Sequence, residues 1–247
     1  MINSAPIKIA FFTGSFQFGG TERYLLNLLE NIDRQLFHPT IMCFDKSGGF
    51  YSEFQKLNID IEDFPIKNSF LNTTGIRSLM KALAFLKKND IQIIHTLADS
   101  GNYFGAFAGK LAGIKTIIVS QRNMGHLMKK KRYAFITKVL YKYLSNGIIV
   151  NAGSIKNHLI KEFRITPDKI EVIHNGIAFN RTSVEKKKSK EAGDSITAGF
   201  IGRFHPIKGF SILIDAAKNV IKEYPDIVFL VIGDGRESND LKSKINN

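Results

Sequence analysis

Ile7-Lys8-Ile9-Ala10-Phe11-Phe12 leads through the glycine turn Gly19-Gly20-Thr21-Glu22 into a segment that places Leu25, Leu28, Leu29 and Ile32 three or four residues apart. The opening run is short and almost continuously apolar, as a strand buried on both faces of a parallel sheet should be. The later spacing predicts an amphipathic helix packed on that sheet, with Thr21 as its N-cap and Glu22 in its first turn. Strand, glycine turn and helix are the first half of a βαβ unit.

The theme repeats along the chain. Apolar or β-branched runs at Ile7–Thr13, Thr40–Phe44, Ile59–Phe64, Ile91–His95, Thr116–Ser120, Gly147–Val150 and Lys169–Ile173 are mostly separated by segments of helical length. Such alternation predicts an α/β fold with a parallel sheet. Asp60-Ile61-Glu62-Asp63 reads as the polar side of one of these strands. From Phe179 to Asp194 the pattern lapses into a charged stretch containing Lys186, Lys187, Lys188 and Lys190, which has little to bury. It restarts with Ile196–Ile201, a glycine turn, a helix over Phe210–Tyr224, a strand over Ile227–Ile232, a second glycine turn and a short polar helix. The expected organisation is an N-terminal domain over 1–178, a linker over 179–194 and a partial C-terminal domain over 195–247.

Composition narrows the partners. Of 247 residues 44% are hydrophobic, enough for a buried core, and no apolar run approaches the roughly 18 residues of a membrane span. Cys43 is the only cysteine and the N-terminal apolar run is too short for a signal peptide, so a cytoplasmic setting is expected and the sequons at Asn72 and Asn180 read as chance matches. A net charge of +13 implies an anionic partner: a nucleotide diphosphate, anionic lipid or nucleic acid. No nucleic-acid motif accompanies the charge, so nucleic acid is not expected.

Three turns carry the chemistry. In Gly202-Arg203-Phe204-His205-Pro206-Ile207-Lys208-Gly209 two cations follow a strand and precede a helix, so Arg203 and Lys208 can reach the crevice at the carboxyl end of a sheet. There they could neutralise the charge that develops on a departing diphosphate. Gly19-Gly20 and Gly233-Asp234-Gly235 are turns whose backbone can approach a phosphate. Neither a Walker A loop nor a Gly-x-Gly-x-x-Gly fingerprint is present. His95, at the end of its predicted strand, reads either as a cleft residue or as a structural hydrogen-bonding residue. Asn175-Gly176 reads as a tight turn that also lines the cleft or does not; His174 and His205 are weaker candidates. With no Asp-x-Asp and no His/Cys cluster, no metal and no cofactor is expected.

Taken together, Gly19-Gly20-Thr21-Glu22, Ile93-Ile94-His95, Val172-Ile173-His174-Asn175-Gly176-Ile177, Gly202-Arg203 with Lys208-Gly209, and Ile232-Gly233-Asp234-Gly235 resemble glycosyltransferase family 4, retaining enzymes of the GT-B type. The resemblance covers nearly the whole chain. It implies a complete N-terminal Rossmann-like lobe on the acceptor side and an incomplete C-terminal Rossmann-like lobe on the donor side. It further implies a nucleotide diphosphate sugar as donor, a glycan or lipid-linked acceptor, and retention of configuration. Arg203 and Lys208 would then hold the donor diphosphate, with Gly19, Gly20, His95, Arg122, Asn175, Gly176, Gly202 and Gly233 binding substrate. The chain departs from the family in two ways. Gln121-Arg122-Asn123 stands where many members carry a histidine, so Arg122 would serve the phosphate or the acceptor instead. The later family segment with two glutamates for the donor is not found before Asn247. Two alternatives therefore stay open: a catalytically silent, truncated binding module, and a GT-B-like sugar-nucleotide epimerase.

Between Lys131 and Tyr143 the apolar set Ile136, Val139, Leu140 and Tyr143 follows helical spacing, with Lys131, Lys138 and Lys142 on another side. Two readings fit: a helix resting on anionic lipid, or a sheet-packed helix with a solvated basic face. With Lys129, Lys130 and Arg132, the first would make the protein peripheral at the inner membrane face.

Overall fold

Seven parallel strands form one sheet: β1 (Ile7–Thr13), β2 (Phe37–Cys43), β3 (Ile61–Asp63), β4 (Ile93–Leu97), β5 (Thr116–Gln121), β6 (Gly147–Val150) and β7 (Ile170–Val172). The computed structural model describes residues 5–66, 70, 72–97, 99–123, 131–176, 196–235 and 237–246. Its chain divides into two compact units, Met1–Phe179 and Asn180–Asn247. The charged stretch 179–194, with Asn180, lies outside the described residues, as do Lys129 and Lys130.

In the first unit the strand order is β3-β2-β1-β4-β5-β6-β7. The chain winds outward from β1 to β3, then returns to the other side of β1 as β4, so the topological switch lies between β1 and β4. In open sheets of this kind ligands collect at the carboxyl ends beside that switch. Side chains alternate across the sheet. Phe11 packs in a layer with Leu25, Leu26 and Leu29 of helix α1 (Gly20–Asn31). Phe12 packs in the opposite layer with Phe64, Phe104, Leu86 and Tyr141. Helix α2 (Tyr51–Gln55) adds Phe54 to the first layer, and α3 (Thr73–Lys88) adds Ala82 and Leu86 to the second. Helix α3 is capped by Asn72, whose Oδ1 accepts from the Gly75 N–H at 2.8 Å, so this sequon asparagine is occupied as an N-cap. The acidic side of β3 is paired: Glu62 and Asp63 face Lys81 and Lys46 at 2.5 and 3.3 Å.

Helix α4 (Asp99–Ala112) lies unusually close to the sheet. A methyl group added at Gly105 would sit 2.6 Å from Thr96 Cγ2, and one at Gly109 2.8 Å from Ile94 Cγ2. Helix α5 (Lys131–Val139) continues into a π-helical turn, Leu140–Leu144, and α6 (Gly153–Phe163) precedes β7. Among the described residues no helix is long and apolar enough to cross a membrane.

Three local expectations are corrected. Helix α1 starts one residue before Thr21, with Gly19 as N-cap in extended conformation. β4 continues to Leu97, so His95 is inside the strand rather than at its tip. The packed face of α5 and its π turn is Thr137, Leu140 and Tyr141, while Ile136 and Tyr143 are exposed. Tyr141 is drawn inward because its hydroxyl has buried amide partners.

The second unit pairs β8 (Thr197–Ile201) with β9 (Val228–Ile232) in parallel. Helices α7 (Phe210–Glu223) and α8 (Ser238–Asn246) bury Phe210, Ile214 and Leu241 against Phe200, Phe204 and Val231. Lys244 fastens α8 to α7, its Nζ donating to Asp215 Oδ2 at 2.6 Å. The strands' opposite face, Ile201, Val228, Leu230 and Ile232, is exposed.

Candidate functional site

Gly19 is the N-cap of α1, in extended conformation and without a side-chain capping hydrogen bond. The Glu22 carboxylate, the far end of a flexible side chain, folds back over it. Gly20, the first helical residue, is exposed at the carboxyl end of β1. This turn therefore offers helix N–H groups at the sheet rim, with an acidic side chain already beside them.

Three distant segments meet on the far side of α1. The Arg122 guanidinium, just past β5, lies 3.6 Å from the centre of the Tyr24 ring. One of its amino groups donates to Asn175 Oδ1. Its Nη1 is buried and has no hydrogen-bond partner among the described residues. Burial lowers the pKa of this guanidinium, an effect Tyr24 opposes; with an ordinary value above 12 the group stays charged. The adjoining turn is held twice more. Asn27 Nδ2 donates to the Gly176 carbonyl at 3.4 Å, and His174 Nδ1 lies 3.1 Å from the Asn151 carbonyl. Tyr24, Asn27, Leu28, Ile173, His174 and Gly176 line an open groove of about 400 Å³. Arg122, Asn175 and Gly176 are thus brought together, and the cation among them retains an unpaired donor nitrogen.

His95 is placed differently. It is buried, pairs in register with Phe11, and packs 5.5 Å from that ring. Its Nε2 is 2.8 Å from Ser120 Oγ. Burial first, and the nearby Arg122 second, bring its pKa from 6.5 down to about 4, so the imidazole is neutral near pH 7. Beside it runs a buried polar network. Thr96 Oγ1 donates to Asn102 Oδ1 at 2.7 Å, Asn102 Nδ2 donates to the Ser120 carbonyl at 2.9 Å, and the Tyr141 hydroxyl donates to Gln121 Oε1. Gln121 Nε2 in turn donates to the Asn123 carbonyl at 2.8 Å. The network fixes the path of the chain on either side of Arg122. Sequence reading did not find Tyr24, Asn27, Asn102 or Tyr141. Their roles depend on which partners the fold brings near, and the only local trace is polar residues inside otherwise apolar helical patterns.

In the second unit the loops after β8 and β9 are knitted together. Gly202 N–H donates to the Ile232 carbonyl at 3.0 Å, and Phe204 N–H to the Asp234 carbonyl at 2.8 Å. A Cβ at Gly233 would lie 1.9 Å from the Gly202 carbonyl oxygen, so close approach of the two loops demands glycine there. Asp234 is occupied within its own loop by the Ser238 hydroxyl and, less strongly, the Gly235 N–H, which hold its carboxyl below the usual range. Arg203 and Lys208 are exposed on the segment leaving β8, and neither forms an ion pair among the described residues. Lys208 closes a single 3-10 turn, Pro206–Lys208, and Gly209 follows at φ 72°, a left-handed conformation suited to glycine, to start α7. His205 is used in that turn, its Nδ1 accepting from the Ile207 N–H. Among the described residues no group of three or more His, Cys, Asp or Glu could hold a metal ion.

Comparison with known proteins gives this geometry a context. Residues 18–181 match the model of Glycosyltransferase Family 4, and residues 182–247 match that of Glycosyl transferases group 1. The chain is 27% identical over 257 residues to UDP-Gal:alpha-D-GlcNAc-diphosphoundecaprenol alpha-1,3-galactosyltransferase of Escherichia coli, covering 96% of this chain and 65% of that protein. It is 26% identical over 168 residues to the phosphatidylinositol N-acetylglucosaminyltransferase GPI3 subunit of Saccharomyces cerevisiae, covering 65% of this chain and 37% of that protein. Its fold matches the crystal structure of Anabaena HepE in complex with UDP and glucose with a TM-score of 0.76 at 19% identity, over 97% of this chain and 66% of that one. The chain thus spans about two thirds or less of the length of these proteins. With a family model matched over residues 18–181, about two thirds of the chain, and a GT-B fold, the chain belongs to glycosyltransferase family 4.

Proposed function

We propose that the chain supplies the acceptor-side lobe and the first part of the donor-side lobe of a retaining glycosyltransferase. The donor is a nucleotide diphosphate sugar and the acceptor a glycan or a lipid-linked sugar. The observation that carries this reading is the exposure of Arg203 and Lys208, without acidic partners among the described residues, on the segment leaving the carboxyl end of β8. Cations so placed can stabilise negative charge on a departing diphosphate more strongly in the transition state than in the ground state. In this reading Gly202 and Gly233 set the loop that presents them. Gly19 and Gly20 bind substrate at the carboxyl rim of the first unit's sheet, and Arg122, Asn175 and Gly176 form the acceptor-side anion contact. His95 acts as a positioning residue, through Ser120. The UDP held by HepE and the lipid-linked substrates in the relatives' names support the two substrate classes. A cytoplasmic setting, with no metal or other cofactor, completes the proposal.

The test is calorimetric titration of the 247-residue chain with UDP and GDP sugars. The expected result is saturable binding that falls at least about tenfold on Arg203→Ala with Lys208→Ala, a loss typical of charge-assisted contacts. Equal affinity in the double variant would remove these residues from the donor site. No binding at all would favour the silent-module alternative. A second reading, a sugar-nucleotide epimerase, is compatible with the fold alone, which a UDP-N-acetylglucosamine 2-epimerase shares at a TM-score of 0.61 and 12% identity. Product analysis separates the two, because an epimerase alters the nucleotide sugar without transferring it.

A further inference from the structure

The loop from β1 to α1 ends on an exposed aromatic ring. Phe18, immediately before the Gly19-Gly20 turn, is 66% exposed, whereas Phe16 is fully buried. One exposed apolar side chain is ordinary by itself. What sets Phe18 apart is how firmly it is held.

Its seat is the loop after β2. Backbone hydrogen bonds join the two loops: the Phe44 N–H donates to the Gly14 carbonyl at 3.0 Å, and the Phe16 N–H to the Ser47 carbonyl and the Phe50 N–H to the Phe16 carbonyl at 2.9 Å each. Gly49 lies against the Phe18 ring, where a Cβ would overlap the ring's Cε2 and Cζ atoms, so glycine is what lets the ring settle there. Phe50 is buried and forms a T-shaped pair with Phe18, with centroids 4.8 Å apart. The Arg23 guanidinium stands 4.3 Å from the centre of the Phe50 ring and is paired with Glu53 at 3.4 Å. Two loops and helices α1 and α2 thus converge to fix a ring that remains in water.

Place and size narrow the ligand. The ring sits at the carboxyl rim of β1, the strand beside the topological switch, where open α/β sheets collect ligands. Its apolar surface is small, because Phe50 beneath it is buried and its chain neighbours are exposed Gln17 and the two glycines. A protein or a lipid surface is held by a broader apolar patch. A pyranose has the matching shape. The C–H groups of one sugar face lie against the electron-rich face of an aromatic ring, while the hydroxyls point sideways to hydrogen-bonding groups, here the first N–H groups of α1.

We propose that Phe18 is a stacking platform for a pyranose ring of the acceptor, with Gly49 as the seat that positions it. The inference rests on the acceptor-side reading of the first unit and deepens it, but it requires neither Arg203 nor Lys208. A nucleobase also stacks on aromatic rings, so uridine serves as the discriminating probe.

The chain contains no tryptophan, so Phe18→Trp installs a single emitter at the platform while keeping an aromatic face. The test is fluorescence titration of this 247-residue variant with the methyl glycosides of glucose, galactose and N-acetylglucosamine, and with uridine and glycerol. The expected result is a saturable change in emission with at least one glycoside below about 100 mM, and none with uridine or glycerol. Phe135→Trp, exposed on α5, should show no saturation with any of them. Saturation-transfer NMR on the parent chain should detect the same glycoside, and Phe18→Ala should weaken its binding at least about fivefold. Gly49→Ala should weaken it as well with Tm nearly unchanged, since the overlap it creates is with the far end of an exposed side chain. Saturation by uridine in place of the glycosides, or equal responses from the Phe18→Trp and Phe135→Trp chains, would overturn the proposal. Glycoside binding to the parent that survives Phe18→Ala would overturn the platform and leave the acceptor reading standing. No glycoside binding to the parent would remove both, while calorimetry with UDP sugars reports the donor reading separately.

Discussion

His95 shows how one residue's surroundings become a property of the whole fold. Its imidazole titrates near 4 in the native chain and at 6.5 when solvated. Between those values the unfolded chain binds the extra proton and the native chain does not. Stability from this group is therefore full above about pH 6.5 and is lost as pH falls toward 4, by up to about 3 kcal/mol. His95→Gln should flatten the decline of Tm between pH 6.5 and 4 relative to the parent. Parallel pH profiles for the two proteins would rule out the assignment. Arg122 invites a second residue-level test. Arg122→Ala should cost about 1 kcal/mol, since a cation stacked on a partly buried aromatic ring contributes about that much. Arg122→Lys should restore little of it, because a tetrahedral ammonium cannot both lie flat on Tyr24 and reach Asn175. Chemical denaturation of the three proteins decides this, and full rescue by lysine would show that charge alone matters there.

Among the elements, α4 is the least forgiving. Its Gly105 faces Thr96 and Phe12 at distances that leave no room for a side chain. Gly105→Val should destabilise the first unit by about 2 kcal/mol or more, the usual result of overpacking a helix–sheet contact. An unchanged denaturation midpoint would show that α4 can lift away without loss. Gly105 also marks the limit of what sequence can convey. The strand at Ile7–Thr13 and that at Gly147–Val150 have the bounds their apolar runs predict, and every other predicted strand is present within a few residues. Apolar runs bounded by turns are local signals and were legible. The start of α1 was missed because Gly19 caps it in extended conformation with no side-chain hydrogen bond, so the hydroxyl preference that pointed to Thr21 does not decide the start. Which face of α5 is packed stayed open because periodicity counts apolar residues without saying which neighbour covers them. Within the site, the glycine turns and the cations at 203 and 208 stand out in one dimension. The Tyr24–Arg122–Asn175 cluster joins residues far apart in the chain, and nothing local announces it.

At the scale of the whole molecule the two units differ in what supports them. The first buries two continuous apolar layers on a seven-stranded sheet, whereas the second rests on two strands and a core of Phe210, Ile214 and Leu241 with a few half-buried neighbours. Two-stranded sheets contribute little stability by themselves. Amide exchange should therefore be at least about tenfold faster across β8 and β9 than across β1, β4 and β5. Matching protection in both sheets would mean that the second unit draws support from contacts beyond its own core. The strand order of the first unit has another consequence, for divergence. Every strand delivers its carboxyl end to the same rim, so each connecting loop there can change length or chemistry without disturbing the buried layers beneath. Lineages can then drift by editing one loop at a time, keeping a single architecture while the chemistry of its rim is exchanged.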